Sequence, residues 1–428
     1  MLLARMSLRF VIAASTVGTL IEWYDFFVYA SLSPIISILF FSKGDPAAAI
    51  IYTWLIFATG FVVRPVGALL FGHLGDRVGR KSTFLATLIL MGLSTAGIGL
   101  LPTYAQVGLA ATALLAALRM VQGIALGGEY GGAVTYALEY APSGRRAFYV
   151  GFISATPPLG LGLSSLTVFL SSAFLTQQAF ASWGWRIPFL LALVLTALGA
   201  YLRLRLAETP LFEALRGSGA VARVPVVEAF AKYWRWILVG IAIAAGHAVL
   251  AYTSTAYIFT FLTSVPKWSP VEANAIVGTA AILQLPLYIF AAWLGDRLGR
   301  RLVYVIGLVL GIATYYPLYI LLSTSRDLVV AVLAVFALIG ATAFTFSILG
   351  TALAELFPTR VRYSGMSIAF NIGIGFFGGF TPSIVGAIGL ALKNPLAGVA
   401  LYTYVVAAAA LAVALLALPE TKGVDISK

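Results

Sequence analysis

The stretch Gly72-His73-Leu74-Gly75-Asp76-Arg77-Val78-Gly79-Arg80-Lys81 decides the fold, because the chain contains it twice. Its second copy is Leu294-Gly295-Asp296-Arg297-Leu298-Gly299-Arg300-Arg301. Each copy is a short charged segment between two long apolar runs, which is typical of a loop joining two membrane helices. Glycine allows a tight turn and close helix packing, and Asp76 is placed to meet the positive end of another helix. Two such loops at matched positions indicate gate elements.

Two more landmarks recur in the same order. The segment 139–146, which runs from Glu139 to Arg146, returns as 355–362, from Glu355 to Arg362. The pair Glu208-Thr209 returns as Glu420-Thr421. Three landmarks repeated at one offset of about 215 residues predict two halves built on one plan.

Composition excludes a water-soluble protein. Of the 428 residues, 61% are hydrophobic and 10% are charged, and the mean hydropathy is +1.00. Soluble domains carry roughly 25% charged residues, so lipid is the solvent of this chain. It has no Cys and two His, His73 and His247, which excludes disulfides, a thiolate nucleophile and a Cys or His metal centre. We therefore expect no enzyme, no cofactor and no metal.

Apolar runs of about 20 residues mark membrane helices, and the sequence predicts twelve in an all-α membrane fold of two six-helix bundles. Their predicted spans are 8–41, 47–71, 82–101, 104–139, 147–176, 186–207, 234–264, 271–294, 302–322, 327–355, 363–391 and 395–418. The expected domains are an N-terminal bundle at 1–207, a basic cytoplasmic linker at 208–233 and a C-terminal bundle at 234–428. The linker is amphipathic around 211–215 and 226–230, which predicts surface helices.

The net charge of +12 follows from topology and does not indicate a nucleic-acid partner. Most Lys and Arg, including Arg5 and Arg9, fall on the side that holds the repeated loops and the linker. The opposite side carries Lys43, Arg186, Lys267, Arg326 and Lys393. This positive-inside bias places both termini in the cytoplasm of a multi-pass plasma-membrane protein.

Charged residues inside the predicted helices are candidates for function, because they are costly in lipid. Glu22 and Asp25 are three residues apart on one face of the first helix, and Glu22 lies about 20 Å deep at the helical rise. Either acid serves transport or pairs with a neighbouring helix to fix packing. Arg64 in the second helix is the structural mate of an acid or the seat of an anion, and both interpretations stay open.

The fourth helix carries Arg119, Gln122 and Glu129 on one face, among several glycines that permit close packing. Glu129 is a proton or substrate site, or it forms an ion pair with Arg64 or Arg119. Arg64 and Arg119 are the only Arg that the predicted spans place deep in the membrane. With three acids, the interior then has a formal charge of −1.

The second half has no acid or Arg deep in a helix. It offers His247, which shares a helix face with Ser254 and Tyr257, and Asn371 among glycines of the eleventh helix. A lone membrane His is either a satisfied packing residue or a cavity group. Hydroxyls, one His and amides are thus the expected contribution of this half.

The doubled loop, the Arg119-x-x-Gln122-Gly123 helix and Pro419-Glu420-Thr421 together resemble the major facilitator superfamily over the whole chain. Glu22-Trp23-Tyr24-Asp25-Phe26 and the segment 127–132 resemble its metabolite:proton symporter family. That resemblance implies alternating access by rocking of the two halves. Members carry di- and tricarboxylates, shikimate, or zwitterions such as proline and betaine. Sugar porters are the nearest competing family.

The resemblance also implies how the repeated loops close the cytoplasmic side. Asp76 should cap the eleventh helix near Arg362, and Arg80 should reach Glu139. By the pseudo-symmetry, Asp296 should cap the fifth helix near Arg146, and Arg300 should reach Glu355. These six residues, Asp76, Arg80, Glu139, Asp296, Arg300 and Glu355, are the expected gate.

The sequence therefore predicts a secondary active transporter that couples proton entry to uptake of a small organic metabolite, most simply a carboxylate. The expected proton sites are Glu22, Asp25 and Glu129, and the expected substrate residues are Arg64, Arg119, Gln122, Tyr29, His247, Tyr257 and Asn371. Its partners are the substrate, protons and the bilayer, and it should act as a monomer. A zwitterion or sugar porter, an efflux antiporter, a sensor on this scaffold and an intramembrane enzyme are the alternatives; the last two lack the residues they would need.

Overall fold

The computed structural model describes residues 7–42 and 46–427. Within these residues the chain forms helices and no strand, and twelve helices are long and apolar enough to cross a membrane. The first six are Leu8–Ser31, Leu55–Arg77, Arg80–Leu100, Leu109–Tyr140, Ser143–Ala173 and Arg186–Leu204. The last six are Pro225–Ser264, Glu272–Leu298, Arg300–Thr324, Leu328–Glu355, Arg362–Ala391 and Val399–Leu416. The twelve predicted helices are confirmed; Arg5 and Lys43, used in the charge argument, lie outside the described residues.

Proline breaks the same helices in both halves. The second helix consists of Pro46–Val62 and Arg64–Arg77, and the eighth of Pro270–Leu283 and Leu285–Leu298. In each case a proline, Pro65 or Pro286, is the second residue of the later piece. Proline has no N–H to donate and clashes with the carbonyl one turn earlier, so a continuous helix cannot form there.

The fifth and eleventh helices are also interrupted. The fifth runs as Arg146–Ser154 and Thr156–Ala173. The eleventh runs as Arg362–Ile372, the π-helical turn Gly373–Gly378 and Thr381–Ala391. The later piece in both begins with Thr-Pro, and proline is well tolerated in the first turn of a helix. Both helices are therefore broken by proline, although only the eleventh contains a π-helical turn.

The seventh helix is continuous with a surface helix of the linker, and a kink separates the two. It runs from Pro225 to Tyr252, with non-helical torsion angles at Tyr233 (φ −121°, ψ 18°), and continues through Thr253–Tyr257 and Ile258–Ser264. The kink at Tyr233 separates the surface helix expected in the linker from the membrane helix, which begins at the predicted residue 234. The other linker helix is Pro210–Gly217, capped by Thr209.

Two compact units make up the chain. The first contains Met1–Tyr140 and Thr156–Pro225, and the second contains Ala141–Ala155 and Val226–Lys428. The segment Ala141–Ala155 groups with the later residues, and the expected linker at 208–233 is divided between the units after Pro225. The contacts of Ala141–Ala155 explain its grouping, since a Cβ on Gly151 would meet the side chain of Ala292.

The first unit has an apolar core at the ends of its helices opposite the repeated loop. Phe40, Ile98, Leu101, Trp185 and Phe189 belong to this core and are buried. Next to it, Arg186 at the start of the sixth helix donates to the carbonyl oxygens of residues 99 and 101 at 2.6 and 2.8 Å. Those carbonyls end the third helix and have no partner within it. The arginine therefore ties two helix ends together.

Glycine sets the spacing between the second and fourth helices. A Cβ on Gly123 would overlap the backbone of Gly60, and a Cβ on Gly127 would overlap the carbonyl of Arg64. The two backbones are thus in direct contact, as expected for small residues at a membrane helix interface. This contact fixes Arg64 and the fourth-helix residues relative to one another.

Candidate functional site

Besides Asp76 and Arg80 of the repeated loop and Glu139 beside it, six charged side chains of the first unit are buried in the described part of the chain. Their exposed fractions are 1% or less, and they are Glu22, Asp25, Arg64, Arg119, Glu129 and Arg203. They come from the first, second, fourth and sixth helices. Buried charge on this scale is expensive and marks a functional region in a membrane protein.

Arg119 lies in a box of aromatic rings. Its Cζ is 4.4, 4.9 and 5.2 Å from the ring centres of Tyr29, Phe57 and Phe26. Its Nη1 donates to Oε1 of Gln122 at 2.7 Å, and the Gln122 amide donates to Thr95 Oγ1 at 2.7 Å. The face predicted for Arg119 and Gln122 therefore exists as a direct contact.

The other edge of the Arg119 guanidinium is open. Its Nε and Nη2 have no hydrogen-bond partner among the described residues. These two nitrogens form the side of the guanidinium that matches the two oxygens of a carboxylate. Tyr29 does not fill the gap, since its hydroxyl donates to the carbonyl of Thr53 at 3.0 Å.

Asp25 and Arg64 are two further buried charged residues of this unit. Asp25 is fully buried, and neither of its carboxylate oxygens has a hydrogen bond within the described residues. Arg64 is also fully buried and lies 5.6 Å from the ring centre of Phe61. Both residues are buried in the helix bundle, and their roles stay predictions.

Glu129 pairs with Arg203, which the predicted spans place near the cytoplasmic end of the sixth helix. Arg203 Nη2 donates to Glu129 Oε1, Nη1 donates to Oε2 at 3.3 Å, and Thr87 donates to the same Oε2. The guanidinium also lies 3.4 Å from the ring centre of Phe84. The expectation that Arg64 or Arg119 neutralises Glu129 is therefore replaced by a partner on the sixth helix.

Arg203 also approaches a second acid. Its Nη1 is 3.7 Å from Oε1 of Glu22, and neither Glu22 oxygen has a hydrogen bond among the described residues. The guanidinium crosses the first helix at Gly18, where a Cβ would overlap it. One arginine thus serves two carboxylates on different helices.

This contact corrects the predicted interior charge. Glu22, Asp25 and Glu129 are balanced by Arg64, Arg119 and Arg203, so the formal sum is zero and not −1. The sequence contained a signal for Arg203. Together with Ala192, Thr196 and Gly199 it forms a stripe at helical spacing, and all four are buried.

The polar candidates of the second unit have partners close by. His247 Nδ1 is 2.7 Å from Thr345 Oγ1, and its ring stacks on Phe346 at 4.7 Å. The Tyr257 hydroxyl donates to the carbonyl of Pro395 at 2.9 Å. The Asn371 amide donates to the carbonyl of residue 367 at 2.8 Å. His247, Tyr257 and Asn371 as substrate residues therefore stay predictions.

The first repeated loop is held by a buried charge network. Arg80 Nη2 lies 3.1 Å from Asp76 and 3.5 Å from Glu139, and its Nη1 donates to the carbonyl of Gly75 at 2.8 Å. Thr209 donates to Glu139. The contact predicted between Arg80 and Glu139 is present, and a cap of the eleventh helix by Asp76 stays a prediction.

The second repeated loop forms the matching network within the second unit. Arg300 donates to Glu355 at 3.1 and 3.2 Å and lies 3.0 Å from Asp296. Asp296 accepts the backbone N–H groups of Ala147 and Phe148 at 3.1 and 2.8 Å. These N–H groups are in the first turn of the helix that starts at Arg146, so the predicted cap of the fifth helix is present.

A second carboxylate in each half was recognised in sequence only as a landmark. Glu208 accepts the backbone N–H of Lys81 at 3.2 Å, and Glu420 accepts that of Arg300 at 2.8 Å. Each caps the helix that follows a repeated loop. The residue just before that helix is Gly79 (φ 136°) or Gly299 (φ 106°), a conformation that residues with a Cβ rarely adopt.

Twelve membrane helices built twice on one plan, matched charged loops and a buried charged region define a membrane transporter of the major facilitator type. Comparison with known proteins identifies the family. The profile described as sugar (and other) transporter matches residues 10–225 and again 224–428. The chain belongs to this family of the major facilitator superfamily; it is a multi-pass plasma-membrane transporter and not an enzyme.

Curated relatives support this assignment. The inner membrane metabolite transport protein YhjE of Escherichia coli K12 is 39% identical, over 85% of this chain and 83% of that protein. The ectoine/proline transporter ProP of Corynebacterium glutamicum is 35% identical, over 88% and 77%. The shikimate transporter of E. coli K12 is 33% identical, over 87% and 86%. The relatives thus carry different small metabolites.

Solved structures share the fold. The proton:xylose symporter XylE of E. coli, bound to 6-bromo-6-deoxy-D-glucose, superposes with a TM-score of 0.78 at 17% identity and covers 98% of both chains. This likeness confirms the predicted fold class. At that identity it carries no information on the substrate of this chain.

Proposed function

We propose that this protein is a proton-coupled symporter that takes up a small organic carboxylate by alternating access. Arg119 is the proposed anchor of the substrate carboxylate. Gln122 and Tyr29 position it, and Arg64, His247, Tyr257 and Asn371 complete the proposed substrate set. The acids Glu22, Asp25 and Glu129 are the proposed proton sites.

The open edge of Arg119 carries the proposal. A buried guanidinium with two unpaired donors pays the cost of leaving water without regaining hydrogen bonds. A carboxylate placed against Nε and Nη2 supplies two parallel charge-assisted hydrogen bonds. The aromatic box meanwhile holds the cation in place through its ring faces. The site therefore fits a ligand that brings one planar anionic group.

Charge balance supports coupling to protons. With all six buried groups ionised their charges sum to zero, so an incoming monocarboxylate would leave one uncompensated negative charge in a low dielectric unless one acid is protonated. A proton taken up together with the anion restores neutrality. Co-transport of a proton with an anionic substrate is thus less costly than uptake of the anion alone.

The two repeated loops are the proposed gate. Asp76, Arg80, Glu139, Asp296, Arg300 and Glu355 hold buried ion pairs on the side that the positive-inside bias assigns to the cytoplasm. Breaking them would open that side. We further propose that both termini are cytoplasmic, that the halves at 1–207 and 234–428 rock about the substrate, and that the monomer is the working unit.

A zwitterion is the second candidate substrate. One relative is named an ectoine/proline transporter. A zwitterion would place its carboxylate on the open edge of Arg119, because the guanidinium itself occupies the box of Phe26, Tyr29 and Phe57.

Uptake into proteoliposomes tests the function. The panel is shikimate, 2-oxoglutarate, citrate, proline, glycine betaine and xylose, with an inward proton gradient and with the gradient collapsed by an uncoupler. A carboxylate that accumulates only with the gradient supports the proposal. Accumulation of betaine or proline alone favours the second candidate, xylose alone supports a sugar porter, and uptake driven by an outward gradient indicates antiport.

Substitution of Arg119 distinguishes an effect on substrate binding from an effect on the transport rate. Arg119→Lys keeps the charge but loses the two-nitrogen edge, so KM should rise at least tenfold, in line with about 1.5–3 kcal/mol for hydrogen bonds to charged groups. Arg223→Lys on the exposed linker is the matched control. An unchanged KM in Arg119→Lys would exclude this arginine as the anchor.

A further inference from the structure

Glu22, Glu129 and Arg203 form a cluster that cannot be neutral without a proton. Arg203 is the one ion-pair partner within 4 Å of either acid in the described part of the chain. All three side chains are 1% exposed or less. Two carboxylates and one guanidinium sum to −1, and burial strongly disfavours that net charge.

The hydrogen bonds favour ionisation of Glu129 over ionisation of Glu22. Glu129 receives two donors from Arg203 and one from Thr87, which is the environment that stabilises a carboxylate. Glu22 receives none and lies 3.7 Å from Arg203, beyond hydrogen-bond distance. A buried carboxyl without donors is far less costly when neutral.

We propose that this cluster binds one exchangeable proton, which resides on the Glu22 carboxyl in the conformation seen here. The binding step forms one O–H bond on Glu22 with a proton taken from water, and the release step returns it to water. Arg203 is the positioning residue, because it can turn from Glu129 toward Glu22 when that proton leaves. This assignment of the proton site deepens the proposed symport and rests on it for its role in transport.

In the described residues, no Lys or Arg other than Arg203 lies within 4 Å of Glu22 or Glu129. Of the helices packed against the first, the third has its only charged groups at its start, at 80–81, and the fifth has none within Thr156–Ala173. The fourth helix presents Glu129 and the sixth presents Arg203. On the first helix itself, Asp25 lies one turn beyond Glu22 and is a separate buried acid.

The path of Arg203 supports a moving guanidinium. It passes over Gly18, one turn before Glu22 on the same face, and a Cβ there would overlap its nitrogens. Phe84 supplies a flat ring against which the guanidinium can slide. A shift toward Glu22 would release Glu129 on the fourth helix, which also carries Arg119. Proton release would thus change the packing of the helix that holds the proposed substrate anchor.

Infrared difference spectroscopy of the purified full chain, titrated from acid to alkaline pH, detects protonated carboxyl groups without any substrate. The wild type should show a carboxyl signal that disappears as pH rises, and Glu22→Gln should lose it. Glu129→Gln should lose the same signal, because a single acid facing Arg203 ionises. A merely structural Glu129 would leave the Glu22 signal in place.

Two controls fix the assignment. Asp25→Asn should remove a different component and keep the Glu22 signal, and Glu272→Gln at an exposed helix cap should change neither. Both cluster variants keep a neutral set of charges, and size-exclusion chromatography verifies that they fold. A Glu22→Gln spectrum identical to the wild type overturns the proposal, and so does a Glu22 signal that survives in Glu129→Gln. These readouts need no transport, so failed proton-driven uptake in the wild type would count against the proposed function alone.

Discussion

Arg300 and Glu355 are joined by two nearly parallel hydrogen bonds of 3.1 and 3.2 Å in a buried site. The same carboxylate accepts the Thr421 hydroxyl at 2.7 Å and lies 3.5 Å from Arg146. One acid therefore links the loop after the eighth helix, the start of the fifth helix and the segment after the twelfth. Loss of the contacts of Glu355 would therefore loosen these three segments together.

Replacing Arg300 by lysine tests the geometry of this contact. Lysine keeps the charge but offers a single ammonium group, so it cannot make the paired bonds. Arg300→Lys should lower the stability by about 1.5–3 kcal/mol, the range for hydrogen bonds to charged groups, and reduce the rate of uptake. Thermal unfolding in detergent and initial uptake rates provide the measurements. Arg216→Lys on the exposed linker helix is the matched control, and equal behaviour of the two variants would contradict the assignment.

The cap at Asp296 yields a second prediction. Asparagine retains one acceptor oxygen, so Asp296→Asn loses the bond to Ala147 or Phe148 and weakens the pairing with Arg300. The transport rate should fall severalfold without a change in the order of preferred substrates. Asp327→Asn is a matched control, because Asp327 caps the tenth helix through a single oxygen at 2.9 Å. Asp76→Asn should resemble Asp296→Asn, and unchanged transport in both would exclude the gate.

Much of this arrangement could be predicted from sequence because it is repeated. The repeats identified Asp296, Arg300 and Glu355, the family resemblance implied their contacts with the fifth helix and with one another, and the lengths of the apolar runs predicted the twelve helices. Local rules also sufficed for the breaks at Pro65 and Pro286, since proline acts on its own helix. Features that depend on a single helix, or on the repetition of a segment, can be predicted from the amino-acid sequence.

The partner of Glu129 could not be obtained in that way. Arg203 is near the end of an apolar run, where arginine usually reaches into the headgroup region. Its inward direction depends on the rotation of the sixth helix and on the space at Gly18, and both are set by packing between helices. The capping role of Glu208 and Glu420 could not be predicted for the same reason, because the helices that they cap begin far away in the sequence.

Glu208 gives a prediction on pH. Burial raises the pKa of its carboxyl, and the N–H groups of Thr209 and Lys81 oppose that rise only in part. An acid with a higher pKa in the folded state contributes stability that is complete below its unfolded value of about 4.3 and is lost as pH rises through the folded value. Glu208→Gln removes the titrating carboxyl group, and with it this loss of stability at higher pH. The apparent melting temperature of the variant minus that of the wild type should therefore increase as pH rises above about 4.

Comparison with Glu213→Gln corrects for the loss of one negative charge, because Glu213 is exposed on the same linker. A difference curve that stays flat or declines with pH would show that Glu208 is not destabilised by burial. A curve that rises only in Glu208→Gln assigns the effect to the carboxylate at the start of the third helix.

Gly18 provides the last prediction, because it tests the space that Arg203 occupies. A Cβ at this position would overlap Nη2 and Nε of Arg203, and the guanidinium cannot withdraw without giving up Glu129 and the carbonyl of Phe84. Gly18→Ala should therefore destabilise the protein, although alanine is the better helix former by about 1 kcal/mol. Gly162→Ala on the fifth helix, where a Cβ meets nothing within 4 Å, should be neutral or stabilising. If the two alanine variants unfold at the same temperature, the Arg203 side chain moves aside without loss of stability. The space at Gly18 then does not hold Arg203 between Glu22 and Glu129.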